Sequence, residues 1–222
     1  MIDILIPVLG RGEQIEPLLQ NLHATTKAEY RVVLICTPGD EATEVAKSTE
    51  ADVIVVTWEA GYADYAKKLA VGFRYTEEPW LFQGATDLIF KSEWDTQALR
   101  VAKQTHKRVI GTNDLSNPQV RRGEHSTHTL IARSYIEEFG GTCDGTGIVF
   151  SEAYDHQYSD NEFIETAKRR REFAFAARSI VEHRHPHWGT AKNDPTYEKA
   201  MRATKRDMKL FMARRRKFVR TR

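Results

Sequence analysis

The stretch RVVLICTPGDEATEVAKSTEADVIVVT, residues 31–57, decides the fold. It opens on a continuous apolar run, Arg31 to Cys36, and turns at Pro38-Gly39-Asp40. A helix is predicted from Glu41 to Ser48, and a second apolar run, Asp52 to Thr57, follows it. Strands without polar alternation are buried on both faces, and strand, helix, strand in that order builds a parallel unit. Toward the N-terminus, Ile2 to Leu9 is another such run, ended by Gly10 and Gly12. Glu13 to Ala24 then sets Ile15, Leu18, Leu19 and Leu22 at helical spacing, with Pro17 in the first turns, where proline is tolerated.

Toward the C-terminus the alternation continues. Tyr62 to Thr76 is predicted helical with Tyr65, Leu69 and Phe73 on one side, and Trp80 to Phe82 a strand running into Gly84-Ala85-Thr86-Asp87. Trp94 to Gln104 reads as helix, Arg108 to Gly111 as strand, Asn113 to Glu124 as a polar loop, Thr127 to Ala132 as strand and Ser134 to Phe139 as helix. Beyond the glycines of 140–147, Asp160 to Arg171 is predicted helical, Ala177 to His183 extended, and Pro186 to Pro195 a loop. The class is α/β, with a central, mostly parallel sheet flanked by helices.

Composition agrees: of 222 residues, 41% are hydrophobic and 29% charged, enough apolar content for a globular core. No apolar stretch reaches the roughly 20 residues of a membrane helix, and the opening MIDILIPVLG lacks a basic segment, so a soluble, unexported protein is expected. Two isolated cysteines, Cys36 and Cys143, imply neither a disulfide framework nor a cysteine metal site, which suits a reducing cytoplasm. The net charge of +2 is unevenly distributed. Residues 199–222 hold eleven bases and one acid, a net +10 against a body of net −8. The organisation expected is a domain at 1–198 followed by a basic amphipathic helix at 199–222. Met201, Met208, Phe211, Met212 and Phe218 lie among those bases, and either a packing helix or an anionic partner accounts for them.

Three places could carry chemistry. Asp87 follows a buried strand and a glycine at the carboxyl edge of the sheet, where open α/β sheets bind ligands; a turn or cap aspartate is the plainer reading. His183, His185 and His187 alternate after a strand and suit metal ligation or a solvated run. Asp160 either caps its helix or serves as a general base at a cleft edge.

In order and spacing these pieces resemble the GT-A-fold glycosyltransferases, family-2-like, over roughly residues 2–190. DILIPVLGRGEQIEPLLQNL is similar to the family's first strand, its proline (Pro7), the arginine after the turn (Arg11) and the leucine-rich helix. YRVVLICTPGDEAT occupies the second strand and loop that contact the nucleotide, with Cys36-Thr37 where relatives carry two aspartates and Asp40 the nearest replacement. AKKLAVGF puts Lys67 at the family's basic position. LFQGATDLIFKSEW falls at the Asp-x-Asp metal motif but with one acid, Asp87. ARSYIEEFGGTCDG resembles the acceptor segment, implying roles for Gly140, Gly141 and Asp144, and the polar residues His125 and His128 before it either line the same pocket or belong to a plain surface loop. YSDNEF lies where the family has its catalytic base, implying Asp160 with Glu162, and VEHRHPHWG matches the strand whose histidine completes the metal shell, His183 or else His185.

The resemblance implies a GT-A-type, Rossmann-like sandwich. It implies an inverting glycosyltransferase using a nucleotide-sugar donor and Mn2+ or Mg2+, with the acceptor open among protein, glycan, small molecule and DNA base. A divalent cation on oxygen and imidazole ligands would neutralise the leaving diphosphate, and a carboxylate would take the acceptor's proton. Two other classes fit parts of the pattern: a sugar nucleotidyltransferase, marked by pyrophosphate release, and a nucleic-acid-binding protein using the basic tail.

Overall fold

The computed structural model describes residues 1–193 and 195–219, with backbone only at 195, 196, 199, 200 and 219. Residue 194, in the expected loop, and residues 220–222, at the end of the expected tail, lie outside the described residues.

The N-terminal half is the parallel unit the sequence announces. Strand β1 (Ile2–Pro7) leads to α1 (Ile15–Thr25), β2 (Tyr30–Cys36), α2 (Glu41–Lys47), β3 (Asp52–Val55), α3 (Asp64–Tyr75) and β4 (Trp80–Gln83). β1 pairs in parallel with β2 and with β4, and β2 with β3. Successive residues of β1 and β2 feed opposite faces. Ile4, Ile6, Leu34 and Cys36 enter one core with α1 and α2, and Leu5, Val33 and Ile35 enter the other with Leu69 and Phe73 of α3. Burial on both faces is why these strands carry no polar alternation.

The second half follows different rules. It comprises β5 (Leu88–Phe90), α4 (Trp94–Thr105), β6 (Val109–Asn113), α5 (Pro118–Arg121), β7 (Thr129–Ala132), α6 (Arg133–Phe139), α7 (Ser159–Arg169), β8 (Phe173–His183) and α8 (Pro195–Arg214). The eight-stranded sheet has the order β3-β2-β1-β4-β7-β6-β8-β5. β7 is antiparallel to both β4 and β6, β8 parallel to β6, and β5 antiparallel to β8. The sheet is therefore mixed, parallel in four of its seven pairings. Between β6 and β7 the chain has only the four-residue α5, inside the stretch expected as a plain loop, and without a crossover helix the next strand must double back. β5 was not anticipated; three residues carry too little periodicity to declare a strand. β8 begins at Phe173 rather than Ala177, because residues 173–175 pair with β6 before a register shift between Gly111 and Asn113.

The C-terminal helix crosses the expected boundary at 198/199 and packs on the body. Phe211 and Phe218 cluster with Tyr154. Arg214 donates from Nε to Glu162 Oε2 (2.7 Å) and from Nη2 to Glu162 Oε1 (2.8 Å) and Asp144 Oδ2 (2.8 Å), while the Tyr154 hydroxyl donates to Glu162 Oε2 (2.6 Å). Glu162 is fully buried, so removing Arg214 leaves a buried carboxylate without its charge partner. Replacing Arg214→Met is expected to destabilise the protein by about 3 kcal/mol or more at neutral pH, read by urea unfolding, and adding Glu162→Gln should restore part of the loss.

Candidate functional site

Asp87 ends the segment that leaves β4, and the pairing of β5 with β8 decides what surrounds it. Leu88 lies opposite His183, and the Arg184 N–H donates to the Asp87 carbonyl (3.0 Å). The His183 imidazole is thereby held with Nε2 3.6 Å from Asp87 Oδ2. Arg11, in the turn after β1, donates to the same oxygen at 2.8 Å, and the Tyr197 hydroxyl of α8 donates to it at 2.6 Å. The Arg11 guanidinium lies 4.0 Å over the Tyr197 ring, and the His185 ring meets the other side of this group, 4.7 Å from Tyr197. Three other segments of the chain converge on this one carboxylate.

The carboxylate is 8% exposed. Burial pushes its pKa up, but His183, the Tyr197 hydrogen bond and Arg11 outweigh burial and hold it well below the usual carboxylate range. For His183, burial works against the imidazolium and Asp87 outweighs it, so its pKa is raised. Its two neighbours respond in the opposite sense. Burial, then the charge on His183, lowers His185 to about 4 and His128 to about 3. His128 Nδ1 lies 3.1 Å from the Gln83 carbonyl, which can only accept, so Nδ1 carries the proton and Nε2 is a bare acceptor without a partner among the described residues.

These groups line a cleft of about 210 Å³ that also takes in Pro7, Tyr65, Lys68, His156 and Asp160. Asp160 lies at the start of α7, with a quarter of its side-chain surface open to solvent. Its Oδ2 accepts from His125 Nε2 at 3.1 Å and its Oδ1 from the Asn161 N–H at 2.9 Å. Burial raises its pKa, and the His125 contact more than offsets that, so the carboxylate is ionised at neutral pH.

Of the residues singled out from sequence, Pro7, Arg11, Asp87, His128, Asp160, His183 and His185 line the cleft. His125 stands behind Asp160, and the others are placed elsewhere. Glu162 and Asp144 hold Arg214. Asp40 caps α2 through the Ala42 N–H (3.0 Å) and accepts from the Gly10 N–H (2.6 Å). Thr37 accepts from Lys68. Gly140 and Gly141 shape the loop to 149: a Cβ at Gly140 (φ +71°) would lie 1.7 Å from the Gly145 carbonyl oxygen, and one at Gly141 would lie 2.0 Å from that of Val149.

Lys67, which the resemblance puts at the family's basic position, is partly exposed and lies off the cleft, whereas its neighbour Lys68 is fully buried. Its ammonium donates to the Val8 carbonyl (2.6 Å) and Thr37 Oγ1 (2.6 Å) and pairs with Asp64 Oδ2 (2.7 Å), tying β1, β2 and α3 together beneath the cleft. The signal was present: Lys68 stands one turn after Tyr65, on the side of α3 already assigned to the core. Tyr197 left no such signal, because nothing local distinguishes it.

A divalent cation here would be held by Asp87 Oδ1, which is buried without a hydrogen-bond partner among the described residues, and by the imidazole of His183 or His185. No group of three or more His, Cys, Asp or Glu side chains arranged for a metal occurs among the described residues, so the remaining ligands would come from the substrate. One orphaned hard oxygen beside imidazoles fits a cation bound together with a diphosphate.

No family model matches the chain, and no curated protein matches it. Solved structures do. S. aureus TarS aligns with a TM-score of 0.61 at 15% identity, covering 81% of this chain and 36% of that one, so the chain spans about a third of TarS. A TarS fragment in complex with UDP-GlcNAc gives 0.63 at 14% identity, over 90% of this chain and 64% of that one. Mycobacterium tuberculosis glucosyl-3-phosphoglycerate synthase, in complex with Mn2+, UDP-glucose and phosphoglyceric acid, gives 0.66 at 11% identity, over 97% and 79%. At such identities the likeness establishes the fold, which is the GT-A type expected from the sequence.

Because folded His128 titrates far below its ordinary value of 6.5, the unfolded chain binds more protons there at mildly acidic pH. Its contribution is present above pH 6.5 and is lost as pH falls, by about 2 kcal/mol at pH 5. His128→Asn should flatten this part of the stability profile between pH 7 and 5, measured by thermal unfolding.

Proposed function

We propose that the chain is an inverting glycosyltransferase, moving a sugar from a nucleotide-sugar donor to an acceptor hydroxyl with divalent-cation assistance. The observation that carries the reading is that one cleft at the carboxyl edge of the sheet holds two ionised carboxylates in different settings. Asp87 is enclosed by Arg11, His183 and Tyr197, and Asp160 is partly open to solvent. Carboxylates whose surroundings differ in this way suit different tasks.

On the donor side, Pro7 and Arg11 line the cleft, with Thr37 and Asp40 behind them. Arg11 supplies fixed positive charge beside the position of a diphosphate, already oriented by Asp87 and the Tyr197 ring. Asp87 and His183 or His185 would hold the cation, whose contribution when bound is to stabilise the charge developing on the leaving diphosphate. On the acceptor side, ionised Asp160 takes the proton of the attacking hydroxyl, and His125 fixes the carboxylate in position. The bare Nε2 of His128 offers a second acceptor for a substrate hydroxyl or amide. Attack on the sugar face opposite the leaving group inverts the anomeric carbon.

The UDP complexes of the structurally similar proteins make UDP-sugars the first donors to try. Binding of the right donor should raise the melting temperature by roughly 5 °C when it is present at a hundred times its Kd with Mn2+ or Mg2+. Asp87→Ala should remove the cation dependence of that shift. Asp160→Asn should keep the shift while donor hydrolysis falls about a hundredfold, the usual scale for losing a general base. A near-normal turnover in Asp160→Asn would move the base elsewhere, release of pyrophosphate would mark nucleotidyl transfer, and no shift with any UDP-, GDP- or TDP-sugar would overturn the reading.

A further inference from the structure

The outward side of α8 takes no part in the site. Ala203, Asp207, Phe211 and Arg214 turn inward and are buried. At 100° per residue Met201, Met208 and Met212 fall within about 40° of one another, in a narrow strip about 16 Å long that runs about a third of a turn away from the buried side. These methionines are 54%, 43% and 58% exposed, and they are three of the large hydrophobic side chains left most open on the described surface. Lys205 and Lys209 run beside the strip on the side farther from the body, and both are exposed, as is Arg216 just beyond the helix. Asp207, the single acid in residues 199–222, is buried, where it accepts the backbone N–H groups of Asp155, His156 and Gln157 at 3.0–3.2 Å. Apart from Glu198 in the first turn, the charged side chains described on the exposed side of α8 are basic.

Charge and apolarity together select the occupant. A nucleic acid would answer the bases and leave three thioethers in water. A second copy of the helix would set cation against cation. The helix has 20 residues, but none of the described helices is long and apolar enough to cross a bilayer. A helix with bases flanking an apolar strip lies in the headgroup layer of an anionic membrane, with the strip at the acyl boundary and the bases on the headgroups. Methionine, unbranched and flexible, adapts to that boundary.

We propose that α8 docks this chain onto an anionic lipid surface through Met201, Met208 and Met212, with Lys205, Lys209 and Arg216 on the headgroups. Tyr197, one turn before Met201, lines the cleft, so docking brings the cleft mouth near the surface. The inference stands on α8 alone and does not rest on the glycosyltransferase reading.

Sedimentation of the full chain with phosphatidylcholine vesicles, with and without about 30% phosphatidylglycerol, tests it at about 50 and 300 mM NaCl. The expected result is a partition coefficient at least about fivefold higher on the anionic vesicles at low salt, falling at high salt. The triple variant Met201→Ser, Met208→Ser, Met212→Ser should lose at least about fivefold of that binding. It should keep the parent's melting temperature and any nucleotide-sugar shift, since the replaced side chains touch neither core nor cleft. Equal binding to both vesicle types, no binding, or anionic binding undiminished in the triple variant overturns the proposal. Preference for a DNA duplex over anionic vesicles, retained by the triple variant, overturns it in favour of a nucleic-acid surface.

Discussion

The Asp87 carboxylate is the point on which the rest of this structure turns. A buried anion is tolerated only with compensating charge and hydrogen bonds. Here they come from the turn after β1, the end of β8 and the start of α8. Each partner fixes a different segment: Arg11 the first loop of the parallel unit, His183 the junction of β8 with β5, Tyr197 the approach of the C-terminal helix. Burial first, and then the charge on His183, lowers the pKa of His128 and His185, while Asp87 raises that of His183.

A second buried network performs the equivalent task on the other side of the cleft. Glu162 gathers Arg214 and Tyr154, and Arg214 reaches on to Asp144, so the far end of α8 is clamped to α7 and to the glycine loop. Between the two networks Asp207 caps the backbone of 155–157, and two of those residues, His156 and Gln157, line the cleft. The helix that composition marks as a tail therefore braces the site through Tyr197 and Asp207. Its inner face packs through Phe211, the Asp207 hydrogen bonds and the pairing of Arg214 with Glu162 and Asp144, while Lys205 and Lys209 stay exposed.

Much of this was legible in the chain. The apolar run at 31–36 became β2 because burial on two faces leaves a pattern that needs no knowledge of neighbours, and the run at 52–57 became β3, a partly buried strand at the edge of the sheet. Asp87 and His183 were readable as a pair only through the resemblance, which puts a histidine of the late strand in the same metal shell as the acid after β4. The burial of Lys68 escapes a helical face assigned from apolar residues alone, since a fully paired ammonium can occupy such a face as well as a leucine. Glu162 looked equivalent to Asp160 in YSDNEF; two residues on along a helix, it faces the opposite side, into the grip of Arg214.

The sequence by itself determined the alternation of strands and helices, the parallel N-terminal unit, the charge asymmetry of the tail and the small set of acids and imidazoles from which a site could be drawn. These follow from local periodicity and composition, which are properties of neighbours along the chain. Only the tertiary structure decided that β7 doubles back, that a three-residue β5 pins His183 beside Asp87, that Tyr197 reaches across 110 positions to the same carboxylate, and that Glu162 is structural. Those outcomes depend on which buried charges find partners across the fold, and a linear pattern does not record the distance between groups brought together by folding.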